Sequence, residues 1–282
     1  MITVVDTLKR TERWLAERGI PSPRLEAERL LAHALGVERL ALYLDHARPL
    51  DDGELALLRP MVRRRGKREP LAWIVGTAGF HAVELAVGAG VLVPRPDTET
   101  LVEAALEWIG EDEDPVYVAD VGCGSGALGL AIATARPGVR VYATDIADAP
   151  LQTTRANTAS LGLEQRVAVL RGDLMDPIPQ ARPVDFVVSN PPYIPTADID
   201  GLEPEVSQWE PREALDGGPD GLDVYRRLIG QAMRRARRGV LLEVGFDQAG
   251  LVSQLLRDAG STDISTWSDL GGVTRVVGTR IP

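Results

Sequence analysis

Val116-Tyr117-Val118-Ala119-Asp120-Val121-Gly122-Cys123-Gly124-Ser125-Gly126 runs from an apolar strand into a glycine-rich turn, and Leu128 to Ala135 carries on as a helix. A second apolar strand, Val139 to Thr144, follows. Strand, helix and strand in that order make a βαβ unit, which implies a parallel sheet with right-handed crossovers. The alternation continues downstream: helix Pro150 to Leu161, strand Val167 to Arg171, strand Val184 to Ser189, helix Tyr225 to Ala236, strand Val240 to Val244 and helix Gln248 to Ala259. Ile264 to Trp267 and Val273 to Gly278 read as a closing pair. The expected fold class is therefore α/β, with a mostly parallel sheet and an antiparallel closing strand.

Upstream of this unit the period changes. Val4, Leu8, Thr11 and Leu15 have helical spacing, and Gly19 with Pro21 ends the element. Ser22-Pro23 reads as a cap and first-turn proline for a second helix closed by Gly36; further helices are expected around Leu40 to Leu44 and Asp51 to Arg65. Residues 1–75 thus form a small helical bundle, 76–93 a β-hairpin linker, and 94–282 the larger domain. Within it, 194–222 is a long segment rich in Pro, Gly and acidic residues, expected to act as a lid or a docking surface. Pro94-Arg95-Pro96-Asp97-Thr98-Glu99 enters the first helix of that domain, with Asp97 or Thr98 as its cap. Glu111-Asp112-Glu113-Asp114 reads as a solvated acidic turn.

Composition narrows the function classes. The chain has 282 residues, 44% hydrophobic but only 5% aromatic, enough for a large aliphatic core. A single cysteine leaves no internal disulfide and no cysteine-built zinc site, no metal is called for, and no stretch has signal-peptide or membrane-span character; a cytoplasmic monomer is expected. Residues 1–75 hold 14 Lys+Arg against 11 Asp+Glu, a net +3, so −13 of the total −10 falls on the remainder. An acidic catalytic half weighs against nucleic acid as the main partner.

Three features carry chemistry. Gly122, Gly124 and Gly126 let backbone approach a ligand and leave helix N–H groups pointing at it, with Cys123 and Ser125 as small loop residues. Asp145 ends the second strand, suited to the two hydroxyls of a ribose, and Asp173 follows the third strand, where it could accept from an adenine amino group. Gly124-Ser125-Gly126-Ala127-Leu128-Gly129 also satisfies the dinucleotide pattern G-x-G-x-x-G, a rival reading. The third feature separates them. Asn190-Pro191-Pro192-Tyr193 lies at the carboxyl end of a buried strand and suits the methylation of a planar nitrogen. Such a nitrogen has a delocalised lone pair and needs orientation more than a base. The Asn190 side-chain oxygen and the Pro191 carbonyl can each accept one N–H, Pro191 and Pro192 hold the backbone still, and Tyr193 packs on the flat group. No histidine follows His81, so a histidine base is not expected.

Taken together these residues resemble the HemK/PrmC family of peptide-chain release factor glutamine N5-methyltransferases. Ala27 to Gly36, Glu69-Pro70-Leu71 and Val91 to Glu99 are similar to its N-terminal and hairpin signatures, and Val188 to Ile194 to its active-site motif. Leu202 to Val206, Glu210-Pro211, Ala214 to Gly218, Asp220-Gly221-Leu222 and Tyr225-Arg226 resemble its lid, which base methyltransferases sharing Asn-Pro-Pro-Tyr lack.

The resemblance implies a Rossmann-like class I fold and methyl transfer from S-adenosylmethionine to the glutamine of the Gly-Gly-Gln motif in release factors. It assigns Asn190 to Tyr193 to the substrate amide. It assigns Gly122 to Gly126, Asp145, Asp173, Leu174 and Asn190 to the cofactor. The chain departs from the family at Leu174, where many members have Trp, and at Ala82, Leu85, Ala147 and Pro150. The competing expectations are methylation of a nucleic-acid base or a ribosomal-protein glutamine, and a non-catalytic cofactor-binding module.

Overall fold

The computed structural model describes residues 2–111 and 115–281, so residues 112–114 of the expected acidic turn lie outside it. The chain divides into two compact units.

The first unit runs to Gly76 and includes Glu203–Trp209. It contains α1 (Val4–Ala16), α2 (Pro23–Leu35), α3 (Arg39–Leu44), α4 (Asp52–Arg65) and α5 (Leu71–Val75). Reciprocal capping boxes start α1 and α4: Thr3 Oγ1 accepts from the Asp6 N–H and Asp6 accepts from the Thr3 N–H, and Asp51 and Glu54 repeat the pattern. Ser22 does not cap α2. It sits in the left-handed region at φ 50 with no side-chain bond, leaving Pro23 to start the helix. The α1, α2 and α4 stripes meet in a core of Leu8, Leu15, Leu30, Leu31 and Leu58. Arg65 is buried in this unit against Glu26 and Glu205, the latter contributed by the short helical turn Pro204–Ser207.

The second unit comprises Thr77–Leu202 and Glu210 onward. A hairpin, β1 (Thr77–Phe80) with β2 (Val83–Ala86), is shorter than the expected 76–93 stretch and turns at His81, φ 50. Then follow α6 (Glu99–Ile109), β3 (Val116–Val121), α7 (Ala127–Ala135), β4 (Val139–Asp145), α8 (Asp148–Ser160), β5 (Val167–Arg171) and β6 (Phe186–Ser189). The chain closes with α9 (Asp223–Arg235), β7 (Gly239–Glu243), α10 (Ala249–Asp258), β8 (Ile264–Ser268) and β9 (Thr274–Arg280). Thr98 stands at the N-cap position of α6, as one of the two expected caps, but its side chain makes no capping bond; a 3-10 turn, Pro96–Thr98, leads into the helix. The 194–222 segment is ordered by two 3-10 turns, Ile199–Gly201 and Arg212–Ala214, and by the helical turn in the first unit.

The sheet order is β5-β4-β3-β6-β7-β9-β8, parallel from β5 to β7, with β9 antiparallel to both neighbours. Alternation along the central strands feeds two cores, as the period of 2 requires. Val118, Phe186, Val188 and Leu241 join α6 and α7 on one face; Ala119, Val187, Val240 and Leu242 join α9 and α10 on the other. Strand order reverses between β3 and β6: from β3 the chain moves outward through β4 and β5, then returns to β6 on the opposite side. The carboxyl ends of β3 and β6 therefore flank a crevice at a topological switch point, where open α/β sheets bind ligands.

Candidate active site

The glycine loop after β3 is held by the end of β4. The Gly122 and Cys123 N–H groups both donate to the Thr144 carbonyl at 2.9 Å, and the Gly124 N–H donates to Asp145 Oδ2 at 3.1 Å. Asp145 Oδ1 accepts from the Ala147 N–H at 3.0 Å, so one carboxylate fastens both the loop and the start of α8. Burial raises the Asp145 pKa above the usual carboxylate value against the pull of these bonds. Below the loop Asp120 is fully buried; its Oδ2 accepts from the Gly129 N–H at 2.9 Å while Oδ1 has no partner, and burial pushes its pKa up to about 7.

Gly122 and Gly124 have φ of 72° and 58°, and a Cβ at either would meet open space, so the backbone faces a cavity directly. The rest of the loop is packing. Cys123 belongs to the core with its thiol 3.4 Å from the Thr154 hydroxyl, and burial drives that thiol's pKa well up. Ser125 is buried with its carbonyl accepting from Asn157, and a Cβ on Gly126 would strike Leu130.

The cavity, of about 240 Å³, is lined by Gly122, Gly124, Asp145, Asp173, Leu174, Asn190 and Pro192, among others. The sequence-expected cofactor residues outside the loop thus converge with half of the Asn-Pro-Pro-Tyr motif. Exposed Ile146 and left-handed Leu174, φ 48, offer apolar surface, and Asp173 is ion-paired with Arg227. An open glycine cradle, a carboxylate at the end of β4 and apolar side chains beside it fit an adenosyl group.

Asn190 and Tyr193 are held from elements distant in sequence. Asn190 Nδ2 donates to Thr98 Oγ1 at 3.2 Å, and Ser189 Oγ donates to the Val121 carbonyl at 2.6 Å, fastening the end of β6 to that of β3. The Tyr193 hydroxyl faces Glu243 Oε1 at 3.4 Å, and its backbone carbonyl accepts from Gln248 Nε2 at 2.8 Å. Gly221, φ +73, lies against that carbonyl so closely that any Cβ would collide with it. Burial, then the Glu243 charge, raises the Tyr193 phenol; burial pushes Glu243 up to about 7. Beyond Tyr193 the chain pairs with 215–218: Ile194 N–H to the Leu215 carbonyl at 3.0 Å and Gly217 N–H to the Ile194 carbonyl at 2.9 Å. Buried Glu210 accepts from the Val93 N–H at 3.3 Å and pairs with Arg95, while nearby Pro211 and Ala214 reach the cavity wall.

Sequence reading missed Thr98 as a partner of Asn190, and also Glu243, Gln248 and Asn157. For Glu243 a signal existed: one acid ends the otherwise apolar strand Gly239–Glu243 and sits 2% exposed. Asn157 carries no such signal, since only the fold reveals that its amide bridges Ala86 and the Ser125 carbonyl.

Residues 6–76 match the family model described as the PrmC N-terminal domain, and residues 102–201 match the methyltransferase small domain. The chain is 41% identical to the release factor glutamine methyltransferase of Geobacter sulfurreducens, over 99% of this chain and 97% of that protein. It is 40% identical to the protein of the same description from Caulobacter vibrioides, over 98% and 96%. Among solved structures, the T. thermophilus 16S rRNA N2 G1207 methyltransferase in complex with AdoMet and guanosine aligns with a TM-score of 0.53 at 18% identity, covering 73% of this chain and 50% of that one. The hMettl16 catalytic domain aligns with a TM-score of 0.57 at 14% identity, covering 83% and 82%; both likenesses are of fold.

Proposed function

From the premise that this chain belongs to the release factor glutamine methyltransferase family, we infer that it transfers a methyl group from S-adenosylmethionine to the N5 side-chain amide nitrogen of the Gly-Gly-Gln glutamine in peptide-chain release factors. The observation that carries the site assignment is the single cavity shared by Gly122, Gly124, Asp145, Asn190 and Pro192. Bound there, the cofactor supplies an electrophilic methyl on a sulfonium centre. Gly122 and Gly124 would admit it to the backbone, Asp145 would take the ribose hydroxyls with its remaining lone pairs, and Leu174 with Asp173 would face the adenine.

The chain's own contribution is orientation. The glutamine amide nitrogen is planar and weakly nucleophilic, and two acceptors, Asn190 Oδ1 and the Pro191 carbonyl, would hold its two N–H groups so that the lone pair is directed into the cavity. Tyr193, partly buried against the core, would bound the amide plane. Proton abstraction beforehand is not needed, because nitrogen that has gained a methyl becomes acidic and loses its proton to water. The paired strand-like course of 194–196 along 215–218 supports assigning 194–222 as the cover that excludes water from this step.

We assign substrate docking to the helical unit. It carries an apolar groove of about 470 Å³ lined by Ile2, Leu55, Leu58 and Val62, with Arg10, Arg59 and Arg63 in the same wall, suited to an acidic protein surface. No helix among the described residues is long and apolar enough to cross a membrane, and release factors place the reaction in the cytoplasm. The test of the activity is transfer of labelled methyl from S-adenosylmethionine to purified release factor, with mass spectrometry locating it on the Gly-Gly-Gln glutamine. Absence of label, or label that persists when that glutamine is replaced, overturns the assignment.

A further inference from the structure

The cavity follows the carboxyl ends of four strands in sheet order: Asp173 and Leu174 after β5, Asp145 at the end of β4, Gly122 after β3, and Asn190 with Pro192 after β6. A cofactor that presents its methyl beside Asn190 therefore extends its far end, the adenine, toward β5. Proteins hold unpaired bases by stacking them on aromatic rings or on arginine guanidinium planes. Among the described residues lining the cavity none is aromatic, and the only cation is Arg227.

Arg227 is placed there by α9. The described residues between β5 and β6 contain no helix, and the connection is secured along one stripe of α9 instead. Arg227, Gln231 and Arg235 recur at every fourth position, so they share a helix face. The Gln231 side-chain amide accepts from the Met175 N–H at 3.0 Å and donates to Asp176 Oδ1 at 3.2 Å. Arg235 donates to the Ile178 and Pro179 carbonyls, each at 3.2 Å. Arg227 is the member of the stripe that reaches the cavity wall, where its Nη2 ion-pairs with Asp173 Oδ2. The Arg227 side chain is 55% exposed and that of Asp173 39%, and a pair so exposed adds little to stability. Gln231 and Arg235 already fasten the connection, so holding it does not require Arg227. What the pair does is keep a planar cation at the cavity wall, next to Leu174.

We propose that Arg227 is a cofactor-binding residue whose guanidinium plane stacks on the adenine ring, in place of the aromatic side chain that the cavity wall lacks. Asp173 anchors Arg227 through Oδ2 and keeps Oδ1 for the adenine amino group. Guanidinium suits this position because it is flat, always charged and more weakly hydrated than an ammonium group. The inference rests on reading the cavity as the S-adenosylmethionine site.

The test measures affinity on the full chain by calorimetry with three ligands. S-adenosylhomocysteine is the demethylated cofactor, 5′-methylthioadenosine lacks its amino-acid end, and 5′-methylthioinosine further lacks the adenine amino group. The variants are Arg227→Leu, which loses charge and plane, and Arg227→Lys, which keeps the charge and loses the plane. Both should weaken S-adenosylhomocysteine about fivefold or more, and methylthioadenosine by a similar factor, the size expected for a lost base stack. The preference for methylthioadenosine over methylthioinosine should stay within about twofold of wild type, because stacking and the Asp173 acceptor contribute independently. Wild-type affinity in Arg227→Leu removes the contact, and wild-type affinity in Arg227→Lys shows that charge without a plane suffices; either overturns the stack. A loss seen with S-adenosylhomocysteine but not with methylthioadenosine overturns it too, by assigning Arg227 to the cofactor carboxylate. So does a collapsed preference for adenine, which reduces Arg227 to a support for Asp173. A wild-type chain that does not bind S-adenosylhomocysteine instead overturns the cofactor assignment beneath, so the two failures are distinguishable.

Discussion

Gln248 donates through its side-chain amide to the backbone carbonyl of Tyr193 at 2.8 Å while its own oxygen accepts from the Gly245 N–H at 3.1 Å. A side chain just before α10 thus completes two backbone groups, one of them in the Asn-Pro-Pro-Tyr loop. Gln248→Leu keeps approximate volume but strands both groups, and an unsatisfied buried polar group costs about 1–3 kcal/mol. The expected result is a lower urea midpoint at unchanged m-value, with kcat reduced as Tyr193 loses its anchor. An unchanged midpoint would mean that solvent or a neighbour replaces the bond.

Asn190→Ala should abolish turnover with the fold retained. Only one side-chain bond, to Thr98, is lost from the folded structure. Removing an oriented acceptor or donor at a reacting centre is typically worth about 2.7–4 kcal/mol of barrier. Single-turnover methyl transfer at saturating cofactor measures this; a rate within a few fold of wild type removes Asn190 from the chemistry.

Asp145→Ala should act on binding. The variant loses the proposed partner of the ribose hydroxyls and also frees the Gly124 and Ala147 N–H groups that hold the loop. Calorimetry should show cofactor affinity falling by about tenfold or more, with the rate at saturation nearly unchanged, the pattern of lost uniform binding. A normal Kd with a depressed rate would reverse the division of labour between the two strand ends.

The βαβ core was legible because each change of period is local: β3, the glycine loop and α7 follow one another, and the strand and helix bounds fall within a few residues of the pattern. The cavity followed from topology, since residues ending β3, β4 and β6 must meet at the switch point once the sheet is parallel. What local pattern does not hold is the destination of a polar side chain. Thr98 has the composition of a helix cap, yet its hydroxyl meets Asn190, 92 residues away in sequence. Ser22 precedes Pro23 as a cap would, yet adopts a left-handed conformation and its side chain makes no capping bond, only its carbonyl accepting from the Glu26 N–H. In both cases the sequence limits the choice and tertiary packing makes it.

Within the helical unit, Arg65 is nearly excluded from solvent and its guanidinium bonds both Glu26 and Glu205, at 2.6 Å for the latter. Arg68 adds a second contact to Glu205 at 2.6 Å. Arg65→Ala leaves Glu26 without this cation and Glu205 with only Arg68. Breaking a buried pair from one side costs about 3–5 kcal/mol. Limited proteolysis should then cut first within Glu203–Trp209, the stretch these arginines secure. Protection equal to wild type would show that backbone contacts alone suffice to hold it.

Stability should fall as pH rises from about 5 to about 8. Asp120 and Glu243 are both pushed up to about 7 by burial, whereas an unfolded carboxyl titrates near 4. Between those values the folded state holds protons that the unfolded state has released, so the slope of unfolding free energy with pH is negative, and it flattens above about 7. Asp145 and Glu210 are raised as well and act in the same direction. Carboxylates held low by bonds or ion pairs, such as Asp216, Asp220 and Glu205, act oppositely, but only below the ordinary carboxylate range. Urea midpoints at pH 5.5 and pH 8 should therefore differ, the acidic one being higher. Asp120→Asn should narrow the gap, because its oxygen can still accept from the Gly129 N–H while the charge that burial penalises is gone. Midpoints that rise with pH over this interval would show that both carboxyls are ionised throughout, and the polar end of β3 would then need a counter-charge to hold it.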